Sequence, residues 1–288
     1  MVDIRQTSEY SKYLSKIGWE VERIAGINYF IKKFPLIGSV LKIQRPEEIR
    51  INKINDLARK YRAFQIIVEP KTELDAKYLT SVGFKLSKSP YLPTKTLFLD
   101  LGKSEKALLA GFKKDARAAI IHYEEVVKNE SKRVVNSGKN LESTIGLFRD
   151  AWKNSVGLKR YIPPLSHLLV LKGSFKDDSL FITTAEKNAG AIFLIGERVA
   201  YYWQAFTNKE GRRSLAQYKI VWEGIKWAKG HGAKVFDFEG IYDERFANKS
   251  WLGFTHFKKS FGGYEVTYPG CFTKVMLPIR LLPNPTKK

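Results

Sequence analysis

The sequence predicts an α/β protein in which two similar halves follow one another along the chain. Each half shows an amphipathic helix, then a short apolar strand, then a further helix-like segment. A length of 288 residues is also typical of two domains of about 130–150 residues each. The 44% apolar content is enough to build two cores and excludes a globally disordered chain.

The first helix–strand unit lies in the N-terminal part of the chain. Apolar residues at helical spacing predict a helix over 54–63, and the apolar run over 64–68 predicts a strand. This strand ends at Glu69. A second helix-like segment then leads to the pair Gly83-Phe84.

The second unit repeats this order near the C-terminus. Apolar residues three and four apart over 215–228 predict an amphipathic helix, with Ser214 as its N-cap and Gly230 at its end. A strand over 233–239 follows, and the pair Gly253-Phe254 comes after it. The two units share an order of elements with little sequence identity, so the predicted repeat is architectural.

A third strand and a basic helix are predicted between these units. The strand covers 96–101, and Ser104 is expected to cap a helix whose apolar residues recur every fourth position from Leu108 to Ile120. Arg117 belongs to the basic stripe of this helix. A stripe of this kind is usually a solvated face.

The domain boundary is predicted near 138–141, just before a helix over 142–152. This divides the chain into a first domain of residues 1–141 and a second of residues 142–276. A basic C-terminal tail covers 277–288.

The charge predicts a polyanionic partner. Fifty Lys and Arg residues face 29 Asp and Glu residues, giving a formal charge of +21. Such a field attracts RNA, phosphorylated metabolites or an anionic membrane, although origin in a generally basic proteome would explain it too. Cys271 is the single cysteine, so no disulfide within the chain is possible and a reducing, cytoplasmic setting fits. Neither a signal peptide nor an apolar run of about 20 residues is present, so we expect a soluble protein.

Generic catalytic and cofactor motifs are missing. The four histidines lack metal-ligand spacing, and the sequence has no nucleophile elbow, phosphate-binding loop or dinucleotide fingerprint. A coenzyme A site would be expected to show a glycine-rich loop at a helix N-terminus. The corresponding stretch, 210–214, offers only Gly211 with two arginines. We therefore expect neither a metal nor a bound cofactor.

Two blocks near the C-terminus carry a family resemblance. The block F-K-x-x-F-G-G over 257–263, coming after D-F-x-G-I over 237–241, resembles the FemABX peptidyltransferases, which build the interpeptide bridges of peptidoglycan. Earlier stretches resemble the same family, and these are 32–36, Arg45-Pro46 and 97–101 followed by Arg117. The resemblance implies two tandem GNAT-like domains with a cleft between them. Because the chain has no room for a coiled-coil arm, it resembles the compact FemX-like type.

The resemblance also implies an activity and its partners. The expected reaction moves an amino acid from aminoacyl-tRNA, a co-substrate, to the stem peptide of a UDP-linked or lipid-linked muramyl peptide precursor. The expected enzyme is a cytoplasmic monomer. The basic tail leaves open a peripheral contact with an anionic membrane.

The catalytic residues that the resemblance implies are Lys258, Phe257 and Glu69. Lys258 matches a lysine that stabilises the reacting ester, which is reasonable because aminolysis develops negative charge that a fixed ammonium offsets. A plain surface position is the alternative for Lys258, and a core position is the alternative for Phe257. Glu69, at a strand end, would accept a proton from the attacking amine or cap a neighbouring turn.

The substrate-binding residues implied in the same way are Lys16, Arg160, Tyr202, Asp237 and Glu239. Lys16 and Arg160 match two cations that bind a diphosphate, while ordinary surface charge remains the alternative for both. Tyr202 matches a cleft tyrosine, with a half-buried strand position as its alternative. Asp237 and Glu239 would position substrate or hold the fold.

Two rival functions stay open at this stage. One is a GNAT-type N-acyltransferase that uses acyl-CoA, and the single glycine at 211 speaks against it. The other is a non-catalytic RNA-binding protein, and the F-K-x-x-F-G-G block speaks against it, since RNA affinity alone would not require that arrangement.

Overall fold

The chain folds into two compact units with interleaved sequences. The computed structural model describes the residues 1–126, 133–135, 141–157, 160–246 and 249–276. The first unit, here called the outer unit, comprises Val2–Thr94 together with the described residues 268–276. The second, here called the central unit, contains Lys95–Thr267.

Both units contain helices and strands. The helices are α1 (Ser8–Lys16), α2 (Ile51–Lys60), α3 (Glu73–Ser81), α4 (Glu105–Gly111), α5 (Lys114–Val126), α6 (Leu141–Val156), α7 (Leu165–Phe175), α8 (Lys209–Arg213), α9 (Ala216–Gly230) and α10 (Leu252–Lys259). The strands are β1 (Glu20–Ile24), β2 (Ile27–Phe34), β3 (Gly38–Gln44), β4 (Ala63–Glu69), β5 (Lys85–Leu86), β6 (Lys95–Asp100), β7 (Arg133–Val135), β8 (Ser179–Thr183), β9 (Ala189–Gly196), β10 (Val199–Thr207), β11 (Val235–Asp237), β12 (Tyr264–Thr267) and β13 (Phe272–Val275). Each unit is therefore built around one mixed sheet, and the predicted α/β class is confirmed.

The outer unit contains a six-stranded sheet in the order β1-β2-β3-β4-β13-β5. Strands β3 and β4 are parallel, because α2 connects them, and the remaining pairs are antiparallel. Apolar residues of α2 and of the sheet form one core, with Ile54, Ile66 and Val68 at most 1% exposed. This matches the first predicted helix–strand unit.

The central unit contains a seven-stranded sheet in the order β12-β6-β11-β10-β9-β8-β7. Its only parallel pair among the described strands is β10 with β11, which α9 connects. The apolar stripe of α9 is buried against the sheet, and β9 is buried along its whole length. The second predicted helix–strand unit is therefore present as well.

Each sheet takes one strand from a distant part of the sequence. In the outer unit β13, near the C-terminus, lies between β4 and β5, and in the central unit β6 lies in the equivalent place between β11 and β12. The chain therefore passes between units at 94–95 and at 267–268. The predicted boundary at residue 141 differs from this division, because residues 95–141 belong to the central unit. Of the predicted boundary segment, residues 138–140 lie outside the described part of the chain.

Two predicted helix starts have different outcomes. The Ser104 hydroxyl accepts a hydrogen bond from the Ala107 amide at 3.2 Å, so this residue does cap α4. Ser214 does not cap α9: it ends α8, and α9 follows Leu215, whose backbone is left-handed at φ +56°. The sequence prediction failed here because a short helix occupies the segment that was read as a loop.

The predicted helix between Ser104 and Ile120 is two helices. Phe112 is extended and separates α4 from α5. The Arg117 guanidinium donates to the carbonyl oxygens of Ala110 at 2.6 Å and Phe112 at 3.0 Å. These bonds satisfy carbonyl groups that the end of α4 leaves without helical partners. Arg117 thus has a structural task in addition to its charge.

The F-K-x-x-F-G-G block joins α10 to β12. Phe261 is fully buried and packs edge-on against Phe112 and Phe257, at centroid distances of 5.2 and 5.4 Å. Gly262 and Gly263 have φ angles of +73° and +92°. A Cβ atom on Gly263 would lie 2.3 Å from the Phe98 carbonyl oxygen, so the chain can enter β12 beside β6 only with glycine at this position.

We expect Gly263→Ala to lower the free energy of unfolding by about 2 kcal/mol or more, because it combines an unfavourable φ with a backbone clash. Chemical denaturation of the full chain measures this. Gly253→Ala is the matched control, since Gly253 lies in α10 with nothing near its missing Cβ. That change should be neutral or stabilise by up to about 1 kcal/mol. Equal stability of both variants would contradict the steric explanation.

Candidate active site

Lys258 lies on α10 with its ammonium group turned into the protein. Its Nζ donates a hydrogen bond to the Gly240 carbonyl oxygen at 2.5 Å and lies 5.8 Å from the centroid of the Tyr202 ring. The side chain is half-buried. Its neighbour Lys259 instead forms an ion pair with Glu265 at the edge of the sheet. The two adjacent lysines therefore have different surroundings.

The surroundings of Lys258 make its ammonium less stable than in water. Burial lowers the pKa of Lys258 to about 8, and the positive charge of Arg160 adds to this effect. The carboxylates of Glu239 and Asp237 oppose it and keep the pKa from falling further. At pH 7 the protonated form therefore still dominates by about ten to one. A desolvated cation near neutrality is a feature that active sites often show.

The turn that follows β11 presents a backbone carbonyl to Lys258. Glu239 has a φ of +61° and Gly240 one of +89°. Asp237 is buried, and its Oδ1 accepts hydrogen bonds from the Thr96 hydroxyl at 2.5 Å and the Glu239 amide at 2.8 Å. A non-glycine residue with a positive φ is costly, and such strain is concentrated at functional sites. Asp237 therefore holds the strained turn, and Thr96 is a contributor that the sequence did not suggest.

Tyr202 places a neutral phenol beside Lys258. It is buried on β10, stacks on Phe193 at 5.5 Å, and meets Phe238 edge-on at 6.5 Å. Burial raises the pKa of Tyr202 well above its usual value, so the hydroxyl keeps its proton. Gln217 donates through Nε2 to this hydroxyl oxygen at 2.6 Å.

Gln217 is a site residue that the sequence analysis missed. It lies on α9 next to the apolar stripe, and no motif or spacing distinguishes it there from a solvated polar residue. Its Nε2 occupies a lone pair of the Tyr202 oxygen, which leaves the phenolic hydrogen free to donate elsewhere. Its own Oε1 is buried and has no hydrogen-bond partner among the described residues. This costs stability and indicates a polar position kept for the site.

Arg160 lies at the exposed side of the same group. Its guanidinium donates to the Gln204 side chain at 2.6 Å and to the Ala205 carbonyl at 3.1 Å, and it lies 5.7 Å from the centroid of the Trp152 ring. A β-bulge interrupts β10 between Tyr202 and Gln204, next to the residues that Arg160 contacts. Arg160 also acts electrostatically on both Tyr202 and Lys258. Gln204 and Trp152 are further neighbours that the sequence did not suggest.

Five of the eight predicted site residues form this group within the central unit. They are Lys258, Tyr202, Arg160, Asp237 and Glu239. Phe257 adjoins them: it is half-buried and packs on Tyr218 at 4.8 Å and on Phe261. Its contacts are those of a residue that supports the helix carrying Lys258.

The other two predicted residues, Glu69 and Lys16, belong to the outer unit. The buried Glu69 carboxylate accepts hydrogen bonds from the Leu92 amide at 2.6 Å and the Gln44 side chain at 2.7 Å. Such contacts tie β4 to the loop before β6, as a turn-capping acid would. Lys16 is exposed at the end of α1.

Close packing explains why residue 211, in the stretch where a coenzyme A loop would be expected, is a glycine. Gly211 is buried in α8, and a Cβ atom on it would lie 2.4 Å from the Asn188 carbonyl oxygen. The described residues contain no group of three His, Cys, Asp or Glu side chains that would hold a metal ion. Among the same residues, every helix is too short or too polar to span a lipid bilayer.

A sequence model of the FemAB family matches residues 178–281, a segment that includes Lys258, Tyr202 and the strained turn. No curated protein matches the chain in sequence. The family resemblance read from the sequence is therefore confirmed over this segment.

Solved structures share the fold along nearly the whole chain. The crystal structure of FemX superposes with a TM-score of 0.74 at 15% identity, covering 95% of this chain and 92% of FemX. L-PGS from Bacillus licheniformis gives a TM-score of 0.59 at 12% identity, covering 91% of this chain and 84% of its own. A tandem GNAT protein from the clavulanic acid biosynthesis pathway gives 0.54 at 10% identity, covering 90% and 83%. The predicted tandem GNAT-like fold is therefore confirmed.

We expect Lys258→Met to leave the fold at least as stable as the wild type. The substitution keeps most of the side-chain volume and removes a cation whose lowered pKa shows that burial disfavours its charge. Thermal unfolding at pH 7, where the charge is present in both folded and unfolded chains, measures this. A marked loss of stability would show that the bond to the Gly240 carbonyl holds the turn, and Lys258 would then be a structural residue.

Proposed function

We propose that this protein transfers an aminoacyl group from aminoacyl-tRNA to the stem peptide of a peptidoglycan precursor. The observation that carries the proposal is the desolvated Lys258 ammonium beside a strained turn, within the segment that the FemAB model matches. We place the reaction in the cytoplasm, where charged tRNA is made. The formal charge of +21 supports a polyanionic donor.

The reaction needs electrostatic stabilisation more than it needs an activated protein nucleophile. The amine nitrogen of the stem peptide attacks the ester carbon, the bond from that carbon to the ribose oxygen breaks, and a proton passes from the amine to the ribose oxygen. Negative charge develops on the carbonyl oxygen and then on the departing oxygen. Lys258 would offset this charge without losing its own proton. The ester is already activated, so the proposal includes no metal.

The neighbours of Lys258 have distinct roles in this proposal. The free phenolic hydrogen of Tyr202 would donate to substrate, since Gln217 already occupies a lone pair of its oxygen. Glu239 helps Lys258 to stay protonated, and Asp237 holds the turn. Phe257 supports the helix. Glu69 enters no step, because its contacts are structural.

Arg160 of the central unit would bind the diphosphate of the precursor, and Lys16 of the outer unit is a separate candidate for binding this group. The argument for Arg160 is its position at the exposed side of the site. For Lys16 the support is the sequence resemblance alone. Because a diphosphate lies away from the reacting atoms, removing either cation should raise KM for the precursor more than it lowers kcat.

The acceptor is tested by offering alternatives to the full chain. Charged tRNAs with radiolabelled amino acids are incubated with a UDP-linked muramyl peptide, its lipid-linked form, phosphatidylglycerol, or no acceptor. Label on either muramyl peptide supports the proposal, and the ratio between the two identifies the preferred form. Label on phosphatidylglycerol alone would overturn the peptidoglycan assignment. Transfer of the acetyl group from acetyl-CoA, with no transfer of an amino acid from tRNA, would show that aminoacyl-tRNA is not the donor.

We expect Lys258→Met to lower kcat by about 10²–10³, the usual effect of removing one preorganised group at a developing oxyanion. The control is Lys259→Met, which removes a neighbouring cation that pairs with Glu265 instead. Single-turnover transfer from charged tRNA measures both. Equal losses in the two variants would show that only general positive charge matters.

The pH dependence should identify the active form of Lys258. If the cation acts, the rate falls as the pH rises through about 8, because the ammonium loses its proton there. Glu239→Gln should move this fall to lower pH, since the Glu239 carboxylate raises the pKa of Lys258. A rise in rate through pH 8 that Glu239→Gln also moves to lower pH would instead make Lys258 a general base, because deprotonation of the attacking amine alone would not respond to Glu239.

We expect Gln217→Leu to lower kcat by about tenfold with little change in KM, because it frees the Tyr202 hydroxyl to turn away from substrate. The measurement is a double-mutant cycle with Tyr202→Phe. If Gln217 acts through the phenol, its substitution has little further effect once the hydroxyl is gone. Fully additive losses would show that Gln217 acts by another route.

A further inference from the structure

The turn between β2 and β3 is apolar and exposed. We call residues 34–37 the apolar tip. Leu36 is fully exposed, Ile37 is 68% exposed and Phe34 is 40% exposed, with Pro35 between them. Large apolar side chains this exposed and this close together are unusual on a soluble surface, and they mark interaction sites.

The backbone of the tip is strained around a leucine. Leu36 has a φ of +65°, a conformation that glycine or asparagine adopts far more easily. Two residues later the chain does use glycine: Gly38 has a φ of +120°, and a Cβ atom there would lie 2.4 Å from the Arg62 carbonyl oxygen. The turn thus carries an apolar side chain at a position where its backbone conformation is costly.

The base of the tip is held in place. The Ile37 amide donates to the Phe34 carbonyl at 3.3 Å, and the Ser39 amide donates to the Arg62 carbonyl at 3.1 Å. The Phe34 ring contacts the Phe64 ring at a centroid distance of 5.9 Å. Leu36 and Ile37 therefore project from a fixed support.

Cations surround this base. Lys32 and Lys33 precede the tip, and the exposed Arg62 contacts its far side through its backbone. Lys33 shares its charge with Glu20 in an ion pair, whereas Lys32 donates to the neutral Gly18 carbonyl at 3.0 Å and keeps its net charge, as does Arg62. An apolar tip with two such cations near its base suits the boundary between lipid acyl chains and anionic headgroups. RNA phosphates would gain nothing from burying Leu36 and Ile37.

We propose that the apolar tip docks this protein on an anionic lipid bilayer. Leu36 and Ile37 enter the acyl-chain boundary, and the flanking cations contact the headgroups. Docking does not depend on the transfer reaction proposed above. It would bring the chain to the surface where a lipid-linked substrate is found.

The test is sedimentation of the full chain with lipid vesicles. Vesicles of phosphatidylcholine alone are compared with vesicles that also contain phosphatidylglycerol, and the wild type should prefer the latter. The double variant Leu36→Gly with Ile37→Ser should bind the anionic vesicles at least about tenfold more weakly, since it removes two large apolar groups. Glycine also relieves the strain at position 36, so thermal stability should not fall, and weaker binding cannot be ascribed to unfolding.

The matched control is Leu74→Gln, which removes another exposed leucine, on α3. This variant should bind like the wild type. If the double variant bound anionic vesicles as tightly as the wild type, docking by the tip would be overturned. Binding would then be explained by attraction between the vesicles and basic residues elsewhere on the chain. Absence of wild-type binding, or an equal loss in Leu74→Gln, would overturn docking by the tip too.

Discussion

The candidate site depends on the pairing of β6 with its two neighbours. On one side the Leu97 carbonyl accepts from the Phe238 amide and the Lys95 carbonyl accepts from the Ile241 amide, which fixes both ends of the turn facing Lys258. On the other side β6 pairs with β12, directly after the two glycines that end the Lys258 helix segment. One strand thus sets the spacing between the carbonyl of the turn and the ammonium that it binds.

The same site illustrates a conflict between stability and reactivity. A lysine with a lowered pKa, a glutamate with a left-handed backbone and a glutamine oxygen without a partner each cost folding free energy. The aromatic packing of Phe257, Phe261 and their neighbours offsets these costs locally. Proteins accept such costs where chemistry needs a preorganised charge.

The sequence predicted the fold class, both helix–strand units and the block that carries Lys258, because these depend on local periodicity and on a specific motif. It did not predict the unit boundary, since β6 pairs with β11 and β12, and β13 with β4 and β5, over long sequence distances that leave no local signal. Gln217 was missed for a related reason: its contact is with Tyr202 on another element, and a polar residue on a helix is usually solvated. The Ser214 cap failed because a short helix and a left-handed leucine replaced the expected loop.

The position of β13, late in the sequence but inside the sheet of the outer unit, has a consequence for synthesis of the chain. The sheet of the outer unit lacks its fifth strand until residues 272–275 have left the ribosome, although its other five strands lie within the first 86 residues. In the central sheet, in contrast, the late strand β12 lies at an edge, so the other six strands are able to pair once β11 has been made. The central unit is therefore able to fold first, while the N-terminal third of the polypeptide waits with an open sheet edge between β4 and β5. For the same reason the outer unit is not one continuous fragment, and a gene cut after residue 94 would encode its sheet without β13.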